Sequence, residues 1–100
     1  MAITANVNLG NGVSASSCYI IVPNAYVKKF EDDSFKLIYD VEIYQNESAR
    51  NSDERFSKRI TCNAVDHIKI DYDPTTSDNP FKLAYTHLKS NSALSSVADA

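Results

Sequence analysis

Two glycines, three prolines and two cysteines are all that this 100-residue chain holds of the residues that punctuate or staple a fold. So few glycines leave no phosphate-cradling loop and no glycine-rich linker. Two cysteines do not make a disulfide framework. Cys18 and Cys62 each sit beside strand-like residues, where a free thiol behaves as a small buried hydrophobe, so two reduced thiols are expected. No stretch approaches the ~20 apolar residues that span a bilayer. The N-terminus has neither the basic region nor the continuous apolar run of a secretory signal, which leads to the expectation of synthesis in a reducing cytosol. Charge is missing in places as well. Residues 1–27 and 90–98 carry no charged side chain, so all but one of the charged residues lie between Lys28 and Lys89. The net charge of −3 gives no electrostatic footprint for nucleic acid or anionic lipid.

What remains is a chain for one domain, with ordinary apolar and charged fractions. Its centre is the stretch from Cys18 to Tyr44, in which two runs rich in β-branched and aromatic residues flank Glu31-Asp32-Asp33-Ser34. That is the pattern of an antiparallel hairpin. In the second run Phe35, Leu37, Tyr39, Val41 and Ile43 fall on one face and Lys36, Asp40 and Glu42 on the other, with Ile38 and Tyr44 as apolar exceptions. A period of two predicts one face on a core and one on water or a partner. Pro23 cannot donate to a ladder and predicts an edge or bulge near Pro23-Asn24, with the strand resuming in altered register from Ala25.

Around the hairpin, residues 1–17 read as a first strand (about Ile3 to Leu9) or as an arm laid on another subunit, with a turn at Asn11-Gly12. Residues 45–54 read as a polar surface loop. From Arg55 the alternation returns: Phe56, Ile60, Cys62 and Ala64 share one face, Ser57, Arg59, Thr61 and Asn63 the other, and Ile68, Ile70 and Tyr72 follow in line. Asn79-Pro80 is a helix start with cap and first-turn proline in place. The helix 80–90 then sets Phe81, Ala84, Tyr85 and Leu88 on one stripe. Residues 18–90 thus form a β-rich core domain, and residues 91–100 a tail. The predicted fold is α+β: an antiparallel sheet or sandwich of about five strands with one C-terminal helix on a face.

The chemistry-bearing residues point away from catalysis. His67 and His87 have no second His or Cys at metal-ligand spacing. Asp71, Asp73 and Asp78 resemble part of a calcium loop, but Thr76 and Lys82 stand where that pattern wants Gly and Glu, so Asx turns are expected instead. The paired carboxylates Asp32-Asp33 and Asp53-Glu54 lie in turns, and no strained glycine turn presents a serine. No catalytic, metal or cofactor residue is therefore assigned. The uncharged ends offer Ile3, Val7, Leu9, Val13, Leu94 and Val97 as candidate interface residues, since charge depletion marks the centre of interfaces. The one basic cluster, Arg50, Arg55, Phe56, Lys58 and Arg59, offers the alternative of a small β-barrel binding single-stranded nucleic acid. The acidic balance elsewhere speaks against it.

Three stretches together carry a resemblance. An Asn-Gly-Val turn (Asn11 to Val13) precedes Tyr-Ile-Ile-Val, a Phe-x-x-x-x-x-Val-x-Ile-Tyr strand runs from Phe35 to Tyr44, and the chain closes with Asn-Pro-Phe-x-x-Ala-Tyr-x-His-Leu-Lys from Asn79 to Lys89. Over about residues 9–90 the chain resembles a family of small bacteriophage virion proteins encoded among tail genes. The closing helix is the most specific part. The resemblance implies a compact β-sheet module with one helix, present in several copies, that joins tail, neck or fibre components, with no catalytic or ligand residues to carry over. It implies partners that are copies of the chain and other virion proteins, no membrane, and localisation in the virion after synthesis in the host bacterial cytoplasm.

Overall fold

The structure, a computed structural model, describes residues 2–10, 12–55, 59–62 and 65–100. In chain order they form β1 (Ile3–Gly10), β2 (Val13–Lys29), β3 (Phe35–Tyr44), α1 (Glu47–Arg50), β4 (Arg59–Ile60), β5 (Ile68–Asp71), α2 (Pro80–Lys89) and β6 (Leu94–Asp99). The strands make one six-stranded sheet in the order β4-β3-β2-β1-β6, with β5 also paired to β3. Every pairing is antiparallel. The fold is thus α+β, mainly antiparallel sheet with a helix near the C-terminus, as the patterning predicts.

The β2–β3 hairpin forms around the expected acidic turn. Phe30 and Ser34 close it (Phe30 N–H to Ser34 O, 2.9 Å), and Asp33 takes a left-handed φ of 64°, a conformation Asp tolerates better than most residues. The Asp32 carboxylate accepts from both the amide and the hydroxyl of Ser34. Along β2 the register changes where Pro23 stands: Ile21 pairs with Glu42, but Asn24 pairs with Asp40. The extra residue reverses which positions face inward. Cys18, Ile20 and Val22 belong to the core before the bulge, and Ala25 and Val27 pack against it afterwards. The bulge also frees the Val22 N–H from the ladder, and the Tyr85 hydroxyl on α2 accepts it at 2.9 Å.

Helix α2 begins as predicted. Asn79 caps it by accepting from Lys82 N–H at 2.8 Å, and Pro80 occupies the first turn, a cap worth about 1 kcal/mol. Ala84, Tyr85 and Leu88 are buried in the core, whereas Phe81 remains 45% exposed. The core these residues cover includes Ile3, Val7, Leu37, Tyr39, Val41 and Ile43, with Cys62 and Val65 closing it from the β4–β5 connection. Both thiols are free and buried.

Three expectations need correction. Residues 91–100 are no frayed tail: they supply β6, which pairs with β1 from Val7↔Leu94 to Ile3↔Asp99. Within the predicted segment 1–17, Ile3–Gly10 consequently forms an interior strand rather than an arm. The polar loop 45–54 contains the single turn α1, capped by the Asn46 side chain on Ala49 N–H at 2.9 Å. Finally, the outer face of β3 meets water only in part: Lys36, Asp40 and Glu42 are half-exposed, whereas Ile38 and Tyr44 are 4% and 0% exposed. The predicted faces of Phe56, Ser57, Asn63 and Ala64, and the residue Asn11 of the first turn, lie outside the described residues.

The Val22–Tyr85 bond makes a direct test. Tyr85→Phe keeps the ring but strands a buried amide, which costs ~1–3 kcal/mol. Denaturant unfolding is expected to show the unfolding free energy lowered by that amount, seen as a lower midpoint at unchanged slope; an unshifted midpoint would show that the bulge amide finds another partner.

Candidate functional site

The six candidate interface residues separate in the fold. Ile3 and Val7 are wholly buried and Leu94 is nearly so, all in the chain's own core. Leu9 and Val97 pack partly against that core. Ile3, Val7 and Leu94 are held inside because β6 closes on β1, so the correction for these three is physical: their apolar area is already removed from water within one chain. Val13 is the exception, at 56% exposure the most exposed large apolar residue described. It stands at the tip of the β1–β2 hairpin, whose turn uses Gly10 and Gly12 at φ of 90° and 77°.

The end of the sheet formed by β1, the first half of β2 and β6 carries a single charged side chain, Asp99, and Lys89 of α2 pairs with it at 2.5 Å. Two serines bend this end. Ser17 and Ser96 take left-handed φ of 51° and 52° at register shifts on either side of β1. Asn6 lies between them, and its side-chain oxygen accepts the Ser17 N–H at 2.9 Å.

The basic cluster is only partly assembled. Arg50 and Arg55 line a groove of about 610 Å³ with Tyr19, Ile21, Pro23 and Glu42. Beside it Tyr44, buried and pushed up by that burial, donates to Glu42 Oε1 at 2.9 Å. Arg59 turns elsewhere and donates to the Val41 carbonyl at 3.4 Å. Phe56 and Lys58 lie outside the described residues. The groove therefore holds two guanidiniums, one carboxylate and one accessible aromatic ring.

A second aromatic and basic grouping escaped the sequence. Lys28 and Lys69 both approach the Phe30 ring, at 5.3 and 5.1 Å from its centroid. Lys28 neighbours Phe30 in the sequence, but Lys69 arrives only through the β3–β5 register, in which Ile38 faces Lys69. No local pattern announces that pairing. The nearby charges balance, with Lys36 paired to Asp71 and Lys29 to Asp33.

The three aspartates of the calcium-like stretch have separate partners. Asp71 pairs with Lys36, and Asp78 with Lys82 at 3.1 Å. Asp73 accepts from the amide and hydroxyl of Thr75, bonds that hold its carboxyl below the usual range. Among the described residues no three His, Cys, Asp or Glu side chains converge as metal ligands.

Of the titratable groups, Tyr39 is the most shifted. It is wholly buried, its hydroxyl lies 2.6 Å from His87 Nδ1, and burial pushes its phenol up to about 12. The unfolded chain ionises this group near 10.0. Its contribution to stability is therefore full below pH ~10 and lost as pH rises to ~12, a loss of about 2–3 kcal/mol. Tyr39→Phe is expected to flatten the alkaline limb of the unfolding curve in that window, measured by circular dichroism against pH; an unchanged limb would count against it. Set beside known proteins, the chain finds no counterpart that could decide among these surfaces: no family model matches it, no curated protein matches it and no solved structure matches it.

Proposed function

We propose that this chain is a non-enzymatic structural protein of a bacteriophage virion, an adaptor in the tail, neck or fibre-attachment region that associates with its own copies and with neighbouring virion proteins. On this reading it is made in the host bacterial cytoplasm and ends in the particle. The virion assignment rests on the sequence resemblance of the strands and the closing helix. The assembly role is supported by one structural observation, the end of the sheet that carries a single charged side chain, Asp99. Its only carboxylate is tied to Lys89, and it presents Val13, Ser14, Ser16, Ser95 and Ser96 to solvent. A free monomer ordinarily places charge on such a surface to stay soluble and to guard strand edges. Uncharged surface is what the middle of an interface requires.

Trimming the termini would remove Ile3, Val7 and Leu94 from the core, so surface charge is the sharper probe. The solution mass of the full chain is expected to exceed that of one copy at high concentration and to fall to the monomer in Val13→Lys with Ser95→Lys, the circular dichroism unchanged. A wild-type chain that stays monomeric and is recruited by no tail protein would defeat the reading.

The groove between Arg50 and Arg55, with Tyr19 on its floor, is the observation that keeps single-stranded nucleic acid as the second reading. Titration with a labelled oligonucleotide at two salt concentrations separates the two. The adaptor reading expects no binding at low salt. Micromolar affinity that falls steeply with salt, and is lost in Arg50→Glu, would favour nucleic acid.

A further inference from the structure

We propose that the sheet contains a slot, in line with β3 and beside residues 13–17 of β2, that takes one extended, uncharged segment of a neighbouring polypeptide by strand addition. The inference rests on the adaptor reading and names the surface by which the chain grips its neighbour.

The slot exists because two paired strands end at different places. β3 stops at Tyr44, opposite Tyr19, where the chain turns off through Gln45 and Asn46 into α1. β2 runs on to Val13, held on one side by β1 through Val7↔Ala15, Asn8↔Ser14 and Gly10↔Val13. On its other side, among the described residues, no strand pairs with it.

The direction of the backbone groups follows from Asn8. Its N–H donates to the Ala93 carbonyl at 2.8 Å, and its carbonyl accepts from the Cys62 thiol at 3.4 Å. Both groups thus point away from β2. In an antiparallel ladder the residue opposite such a position also turns its groups outward. Ser14 therefore directs its N–H and C=O to the open side, and so does Ser16 by the period of two. The Ser17 N–H, engaged by Asn6 on the β1 side, fits the same alternation.

The open edge fronts a groove of about 760 Å³ whose lining includes Ala15, Ser16 and Cys18 of β2 together with Asn46, Ala49 and Ile60. Every residue that lines it is uncharged. A charged occupant would lose its hydration there with no counter-charge to meet it, so the fitting occupant is an uncharged strand. Gln45, Asn46, Ser48 and Ala49 line the same groove, so this chain's own turn into α1 already borders the open edge, and the occupant we infer is a lone strand rather than the edge of a second sheet. Five residues of edge span about 17 Å, an ordinary strand length. Main-chain bonds to Ser14 and Ser16 would supply affinity, and alternate side chains would meet Cys18 and Ile60.

The edge also lacks the usual guards. Proline, lysine and acidic residues block open edges elsewhere in proteins. Here Pro23, Lys28 and Lys29 all sit at the opposite end of β2.

The test is an amide-resolved NMR titration of the full chain with the acetylated and amidated peptide Thr-Val-Ser-Val-Thr-Val-Ser, followed by hydrogen exchange. In the free chain Ser14 and Ser16 amides are expected to exchange quickly and Ala15 slowly. Peptide should shift resonances at residues 14–18 and 45–49 and slow exchange at Ser14 and Ser16, with a dissociation constant in the millimolar range. Ser14→Pro is compatible with the fold, since its N–H faces solvent, and should weaken binding at least ~10-fold, about 1.4 kcal/mol. Ser14→Ala keeps the N–H and should bind as the wild type does. The proposal is overturned by shifts located elsewhere, by no shifts at all, or by undiminished binding in Ser14→Pro. Protection of Ser14 and Ser16 that rises with protein concentration without peptide would give the slot to a second copy and overturn it too. Solution mass on the same samples keeps the failures apart: an associating chain that ignores the peptide sinks only the slot, and a monomer that ignores the peptide and is recruited by no tail protein sinks the adaptor reading as well.

Discussion

The hydrogen bond from the Val22 amide to the Tyr85 hydroxyl is the point on which the two layers of this fold agree. A bulge at Pro23 would otherwise leave a buried donor without a partner, a cost that the main chain avoids almost everywhere. Tyr85 meets that donor only if α2 lies across β2 at one height and one rotation. The bond therefore fixes where the helix sits as well as satisfying the bulge. The bulge in turn decides which side chains of β2 face inward. Without it Ala25 and Val27 would turn to the outer face, and Tyr26 and Lys28 would turn to the core. One polar contact thus links the helix, the strand register and the composition of the core.

The same constraint divides the surface chemically. Beyond the bulge β2 carries Lys28 and Lys29 and ends in the acidic turn; before it β2 carries only uncharged residues. The ionisable groups near the hairpin pair with one another across short distances, as Lys29 does with Asp33 and Lys36 with Asp71. Exposed pairs of this kind contribute little stability, but they leave that end closed to partners of a single sign. The other end holds one such pair, Lys89 with Asp99, and is otherwise uncharged; the proposed slot lies there. Recognition by main chain suits a protein whose surface offers no strong electrostatic field.

Much of this could be read in advance, for identifiable reasons. The capped helix, the hairpin and the bulge at Pro23 were legible because each depends on residues adjacent in sequence: Asn79-Pro80, Glu31 to Ser34, and a proline inside a strand. What failed was non-local. Ser90 to Ala98 shows no alternation because Ser96 inserts a bulge that breaks the period, so an edge strand resembles a frayed end. Once β6 is misread, Ile3 and Val7 pass for interface residues, since nothing in the local pattern shows that β1 has strands on both sides. Phe81 was misplaced for a different reason: helical periodicity gives the direction of a side chain but not how much of the stripe the core covers. The open edge at Ser14 and Ser16 was invisible because it arises from where β3 stops relative to β2.

The pairing of Ile3 with Asp99 has a kinetic meaning as well. It closes a loop of almost the entire chain, and the amide of Ala100 reaches the Ala2 carbonyl at 3.0 Å. Closing so long a loop carries a chain-entropy cost that only an already formed sheet can offset. The β2–β3 hairpin and α2 are local and can assemble first, and β6 is the natural last arrival. Substitutions in β6 should then leave the folding rate almost untouched and act on the rate of unfolding. In such a molecule the strand joined last is also the first to leave, and kinetic durability is set at its outermost edge.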